Sequence, residues 1–263
     1  MENPPETNSR CGSVAARVED VCMNAWPALQ EIHYDGWLIR LAGGHTRRVN
    51  SVNVLRKGSL LFSEKIAYCE DVYRRHALHP YFRILSTTGR ALEDALDARG
   101  YSAEDETTTL FMDFNEFPPP SPDRDVEMKF NAPDADWIAA YTQLHELALH
   151  DAARLAKILH QIAVPGVYAA LRDESNGIRS LAKGAVHDRI VCINMVATDG
   201  AVRRRGYSRA CVSAILRWAQ SEFGAEGACL QVLADNTPAI RMYEGLGFVH
   251  ELYHYHYRTR AFA

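Results

Sequence analysis

One stretch restricts this chain more than any other. Met195–Phe248 reads MVATDGAVRRRGYSRACVSAILRWAQSEFGAEGACLQVLADNTPAIRMYEGLGF. It begins inside an apolar run, Ile190-Val-Cys-Ile-Asn-Met-Val-Ala, short and β-branched enough to read as a buried strand. Arg203-Arg-Arg-Gly206-Tyr-Ser208 then opens a helix with apolar residues at Cys211, Ile215 and Trp218, widened by Val212, Leu216, Ala219 and Phe223. Strand, glycine turn and helix N-terminus in that order make an anion site. The first N–H groups of the helix have no intrahelical partner, and its dipole favours negative charge. Gly206 lets backbone approach an anion closely, and three arginines add charge. These features point to a phosphate without saying which.

The residues beyond this helix narrow the choice. A short strand, Cys229-Leu-Gln-Val-Leu, leads to Asn236 as an N-cap candidate with Pro238 just inside a new helix. That helix carries Ala239, Ile240, Tyr243 and Leu246 and ends at Gly247-Phe248. In this order the residues resemble the GNAT superfamily of N-acetyltransferases. Its pyrophosphate loop, Gln/Arg-x-x-Gly-x-Gly/Ala, is matched by Arg203, Gly206 and Ser208. Its later signature, Asn-x-x-Ala…Tyr-x-x-x-Gly-Phe, is matched by Asn236, Ala239, Tyr243, Gly247 and Phe248. Ser208 departs from the usual small residue, and Gly200 stands where a proline is common before the loop.

The resemblance implies an α/β protein with a mixed sheet, the acyl-CoA N-acyltransferase fold, and acetyl-CoA as co-substrate. It implies cofactor contacts at Arg203, Arg204, Arg205, Gly206, Tyr207, Ser208 and Asn236. Backbone contacts to the pantetheine arm and thioester are implied at Met195, Val196 and Thr198. Tyr243 takes the family's place of proton donor to the departing thiolate. A phenol near ~10 can protonate a thiolate near ~8.5; the competing reading is a tyrosine filling the helix–sheet interface. The implied reaction moves an acetyl group to a primary amine of a small molecule or a protein. A non-catalytic acyl-CoA-binding or regulatory protein is the alternative.

Composition sets outer limits. A length of 263 residues allows two domains or one large one, and 47% hydrophobic with 24% charged residues is ordinary for a globular chain. A net charge of −4 gives no bulk reason to bind nucleic acid or membrane. No apolar run approaches the roughly 18 residues of a membrane span, and MENPPETNSRCGS has no apolar core for a signal peptide. The six cysteines form no CxxC pair, which suits reduced core thiols in a cytoplasmic protein without a metal.

Along the chain, residues 1–13 read as a disordered leader and Val14–Asn24 as an amphipathic helix. Strands are expected at 36–42, 46–55, 81–86 and 107–114, and helices at 63–75 and 90–99, with Gly43-Gly44 as a hairpin turn. Phe117-Pro-Pro-Pro-Ser-Pro marks a linker over 117–123. Beyond it come a strand at 125–130, helices at 134–147 and 152–162, and strands at 166–172, 179–187 and 189–197. Residues 248–260 fit two strands or one bent strand. The helix Ala91–Arg99 followed by Gly100-Tyr101 and a strand echoes Ala239–Leu246 followed by Gly247-Phe248 and a strand. That echo predicts an internal repeat: a degenerate GNAT-like half over 14–116, without a phosphate loop, and an acetyltransferase half over 124–263. Such halves form a pseudo-dimer, compatible with a monomer. GWLIRLAGGHTRRVNSV is similar to the first half of a bacterial tandem GNAT subfamily.

A general base is harder to read. Glu146, with His145, His150 and Asp151, clusters at the junction of two helices, with Glu146 and His150 four apart. A solvated helix end explains each of them singly. His254 and His256 share one strand face and three tyrosines the other. Arg47, Arg48 and Asn50 could reach an acidic substrate or be plain hairpin charges.

Overall fold

The structure, a computed structural model, describes residues 7–260. The first half comprises α1 (Thr7–Ala25), β1 (Gln30–Tyr34), β2 (Trp37–Leu41), β3 (Val52–Val54), α2 (Phe62–Arg75), β4 (Tyr81–Leu85), α3 (Arg90–Asp97) and β5 (Ser102–Asp113). The second comprises β6 (Glu127–Phe130), α4 (Ala135–Leu144), α5 (Leu149–His160), β7 (Gly166–Arg172), β8 (Ile178–His187) and β9 (Ile190–Thr198). It continues with α6 (Tyr207–Phe223), β10 (Gly227–Leu233), α7 (Thr237–Glu244) and β11 (His250–Thr259).

The described residues form one sheet in the order β1-β2-β3-β4-β11-β5-β10-β9-β8-β7-β6. The repeat expected from the helix-Gly-aromatic echo is present element by element. In β1-β2-β3-α2-β4-α3-β5 the first three strands are antiparallel and β3 runs parallel to β4. In β7-β8-β9-α6-β10-α7-β11 the pattern recurs, with β9 parallel to β10. The echo extends to the helix ends. Gly100 and Gly247 both have left-handed φ, of 76° and 110°. The next N–H, of Tyr101 or Phe248, returns to a carbonyl five residues back, Leu96 or Tyr243, each at 3.1 Å.

The last strand of each half crosses into the other. β4 takes β11 as its neighbour and β10 takes β5, while β5 and β11 pair antiparallel at the centre. Both halves therefore share one continuous sheet, and the Pro-rich 117–123 segment runs between β5 and β6 with neither helix nor strand. At the β5–β10 seam, a Cβ on Gly227 would lie 2.9 Å from the Met112 carbonyl, so this close approach needs glycine.

Alternation along the strands divides the helices between two faces. Val191, Ile193, Ala228 and Leu230 lie under α6 and α7, and Phe82 and Ile84 lie under α2 and α3. Ile84 sits opposite His256 on β11, so these four helices share a face. Cys192, Cys229, Tyr255 and Tyr257 point the other way, beneath α1, with α4 and α5 alongside.

Three expectations need correction. Helix α1 begins at Thr7, so residues 7–13 of the expected leader are helical, and residues 1–6 lie outside the described residues. The polar run after Pro5 carries no further proline, and the helix extends through it. Strand β1 was not expected; it supplies the hairpin partner of β2 across Asp35-Gly36, where the expected turn was Gly43-Gly44. The strand expected over 46–55 is mostly a loop, with a 3-10 turn at Arg47–Val49 and only Val52–Val54 extended. Asn50 is the cause. Its side chain accepts from the N–H groups of Ala42 and Gly44 and donates to the carbonyls of His45 and Thr46, which folds the chain back. The C-terminal segment resolves to one strand, β11, with two register shifts against β5.

Candidate functional site

β9 and β10 pair only from Ile190↔Gly227 to Ile193↔Leu230. Beyond that point both strands continue without pairing to each other, and a cleft opens between them. β9 is also irregular here. Met195 has φ 55°, and the register with β8 jumps from Asn194↔Lys183 to Ala197↔Leu181. Met195 and Val196 thus sit in a bulge outside the β8 register, and regular pairing resumes by Thr198, opposite Ser180. All three residues are half-buried.

The chain then turns tightly. Asp199 accepts from the Ala201 N–H at 2.9 Å and ion-pairs with Arg179 at 2.6 Å, fixing the 3-10 turn Gly200–Val202. Gly206 caps α6 with φ 81°. The first N–H to return into this helix belongs to Ala210, bonded to the Gly206 carbonyl at 2.9 Å. The N–H groups of Tyr207, Ser208 and Arg209 come before it, with no side-chain cap and no acid in the first turn. Arg203, Arg204 and Arg205 are exposed, and among the described residues none is within ion-pair distance of a carboxylate, although the Arg203 charge lies near enough to Asp199 to help lower its pKa. A Cβ on Gly206 would meet nothing nearer than Asp123 Oδ2 at 3.9 Å, so the space above the glycine is open.

The matching turn of the first half is closed. The Asp35 carboxylate accepts from the N–H groups of Ser59 and Leu60, each at 3.0 Å, and ion-pairs with buried Lys65 at 3.1 Å. The two backbone N–H groups hold that carboxyl well below its usual range. Gly58 has no room for a Cβ against it. In this half a side-chain carboxylate holds the N–H groups just ahead of the helix cap, Leu61.

Tyr243 lies on α7, 8% exposed, its ring 5.9 Å from Phe248 in an edge-on contact. Its hydroxyl has no hydrogen-bond partner among the described residues, and burial pushes the phenol well above its ordinary value. It is therefore protonated throughout the physiological range. Asn236 accepts from the Ala239 N–H at 3.3 Å, the capping role read from sequence, and its side chain is thereby occupied with the helix start.

On the opposite face of the sheet, a cavity of about 330 Å³ opens beside the ends of β9 and β10. Asn194, Met195 and Gln231 line it from the second half, Arg48 and Asp105 from the first, and Tyr255 from β11. Arg47 is half-buried at its rim and ion-paired to Glu104 at 3.1 Å and to Asp105.

The model of the family described as "Probable histone acetyltransferase Rv0428c C-terminal" matches residues 13–260. This chain belongs to that acetyltransferase family. An N-acetyltransferase of Bacillus subtilis, YobR, described as uncharacterized, is 22% identical over 246 residues, covering 93% of this chain and 98% of its own. A GCN5-related N-acetyltransferase from Kribbella flavida superposes with a TM-score of 0.68 at 14% identity, over 96% of each chain. A tandem GNAT protein from the clavulanic acid biosynthesis pathway superposes at 0.65 and 11% identity, over 80% of this chain and 74% of its own. The fold is thus the acyl-CoA N-acyltransferase fold in tandem form.

The acetyltransferase departs from the expected set of site residues at the helix junction. Glu146 does not share a helix face with His150. It has left-handed φ, 50°, in the connection between α4 and α5, and α5 starts only at Leu149. It is exposed and does not line the cavity. Asp151 instead contacts His150 at 3.4 Å, Arg154 at 3.3 Å and His45 at 3.9 Å. On β11 the tyrosine face borders the cavity, while His256 points to the other face, 3.8 Å from Glu93.

Sequence reading missed two groupings. Arg48, Asn194 and Gln231 come from segments far apart in the chain and meet at one cavity wall. Cys22, Cys192 and Cys229, from α1, β9 and β10, converge under α1, with Cys22 Sγ 3.9 Å from each of the other two sulfurs. The five cysteines whose side chains are described are free and buried. Among the described residues no helix is long and apolar enough to cross a membrane.

Proposed function

We propose that the acetyltransferase takes acetyl-CoA into the cleft between β9 and β10. The diphosphate rests on the N–H groups of Tyr207 and Ser208, beneath Arg203, Arg204 and Arg205. The pantetheine arm runs along β9 at Met195, Val196 and Thr198, where a bulged strand leaves an edge for it. The observation that carries this reading is the start of α6: three uncapped N–H groups, an open glycine and three exposed arginines. The contrast with the Asp35-filled turn supports one cofactor per chain, bound by the second half.

An amine enters from the cavity on the opposite face. Its nitrogen lone pair attacks the thioester carbonyl carbon, the C–S bond breaks, and the electron pair leaves on sulfur. Tyr243 gives its proton to that thiolate. The amine nitrogen sheds one proton as the amide forms; it leaves through the cavity, where Asp105 is the lining carboxylate, and solvent returns a proton to the Tyr243 phenolate. Two halves sharing one sheet support a monomer as the working unit, and free buried thiols fit a cytoplasmic location.

The decisive variant is Tyr243→Phe, which keeps the ring and its packing on Phe248 and removes the hydroxyl. Acetyl-CoA affinity stays within a few-fold, because the proposed cofactor contacts are made elsewhere. The single-turnover transfer rate falls by roughly 10²–10⁴, the range for losing a general acid. An unchanged rate would assign the proton to another group. Acetyl-CoA binding without thiol release across a broad amine panel would turn the reading toward a binding protein.

A further inference from the structure

We infer that the acceptor amine carries a carboxylate, and that Arg48 of the first half holds it in the cavity; this rests on the acetyl-transfer reading above. Arginines set deep in this molecule are paired. Arg40 meets Glu31 at 3.3 Å, Arg83 meets Glu19, and Arg258 meets Asp97 and Glu93. Arg48 is the exception. It is half-buried, lines the cavity, and among the described residues has neither a carboxylate nor a hydrogen bond for its guanidinium. Its neighbour Arg47 is already taken by Glu104 and Asp105, so the cavity presents one open guanidinium.

The same wall holds two further open polar atoms. Asn194 Oδ1 and Gln231 Nε2 are buried and make no hydrogen bond among the described residues, while the other amide atom of each is bonded to Cys192 or Tyr255. Buried polar atoms are normally satisfied, and leaving them open is costly. All three line one space of about 330 Å³, near the lower end of small-molecule sites. A guanidinium fork matches a carboxylate with two parallel hydrogen bonds. Gln231 Nε2 can donate to the same anion, and Asn194 Oδ1 can accept from the amine or an amide N–H. Among the described residues no carboxylate of the fold satisfies this charge, whose neighbours are the Tyr255 and Tyr257 phenols and the Cys192 and Cys22 thiols. The charge also gives the first half, whose own phosphate turn is closed by Asp35, a part in the reaction: it recognises the acceptor.

The test is thiol release from acetyl-CoA by the full-length protein with matched amines. The panel is the free amino acids, each with its primary amide, and β-alanine beside phosphoethanolamine. The best free acid is expected to exceed its own amide about 10–100-fold in kcat/KM, the range for a charge-assisted bidentate contact. In Arg48→Met that ratio collapses toward one while acetyl-CoA affinity, read by calorimetry, is unchanged. Arg48→Lys keeps the charge without the fork and recovers part of the ratio. If Arg48→Met fails to fold, the wild-type acid-to-amide ratio still decides. Turnover of amines that is indifferent to the carboxylate would overturn this inference alone, as would preference for phosphoethanolamine over β-alanine. Absence of thiol release with every amine would overturn the acetyl-transfer reading along with it.

Discussion

Replacing Lys183 with methionine tests whether the amine beneath α1 is neutral in the folded protein. Lys183 is fully buried on β8, where it pairs in register with Asn194 at the edge of the bulge. Its Nζ donates to the Ala25 carbonyl at 2.7 Å and so holds the end of α1 over the cavity strands. Burial lowers its pKa to about 7; a Cys192 thiolate would raise it and the Arg48 charge lowers it further. The unfolded chain keeps the usual value of 10.5. Between those two values the unfolded state binds the extra proton, so stability rises with pH by up to ~1.36 kcal/mol per pH unit. Below pH 7 the whole penalty is present, about 5 kcal/mol as a ceiling. Above 10.5 it is gone.

Methionine has no such penalty and loses only the hydrogen bond to Ala25, a constant offset of about 1–3 kcal/mol for the abandoned carbonyl. Urea melts of both proteins at pH 6, 7, 8 and 9, in reducing buffer, report on the lysine and the Cys192 thiol it interacts with, because titrations that do not feel Lys183 cancel in the difference. Wild type is expected to gain on Lys183→Met by roughly 2 kcal/mol from pH 7 to pH 9, with little change from 6 to 7. A difference that stays flat over the range would mean that Lys183 remains charged in the fold, held by a Cys192 thiolate.

The cofactor loop and the shared sheet lead to further expected outcomes. Gly206→Val abolishes acetyl-CoA binding in calorimetry, because a branched side chain fills the open space at a left-handed position, while Arg204→Ala weakens it only a few-fold; normal affinity in Gly206→Val would place the diphosphate elsewhere. Residues 1–120 and 121–263 made separately fail to give cooperative melts, since each lacks the strand the other inserts, and co-expression restores a folded complex. A monomeric half that melts cooperatively by itself would show that β5 and β11 are not needed across the boundary.

The closed turn at Asp35 and the open one at Gly206 show how one topology carries two roles. In the first half the anion is a side chain, and it bonds the loop N–H groups of Ser59 and Leu60. In the second the N–H groups are left for a ligand to satisfy. That difference lies in a few residues, Asp35 and Gly58 against the Arg203–Gly206 run, and not in the arrangement of strands and helices.

What the sequence determined by itself is what a few neighbouring residues can enforce. Gly206 before an apolar-faced helix, Asn236 three residues before Ala239, and glycine–aromatic pairs at 100–101 and 247–248 all act through hydrogen bonds spanning five residues or fewer. They were legible, and the repeat with them, because local geometry leaves these residue types little choice. The exchange of β5 and β11, the single sheet that results from it, and the cavity wall of Arg48, Asn194 and Gln231 depend on pairings between residues more than a hundred positions apart. No periodicity encodes which distant strand becomes a neighbour. Nor does it show that Asn50 spends its side chain folding a loop, or that Glu146 stands outside the cavity while Arg48 faces it. Those choices were made by the tertiary structure, where packing of α1, α4 and α5 against one sheet face decides which polar groups are satisfied internally and which are left for a substrate.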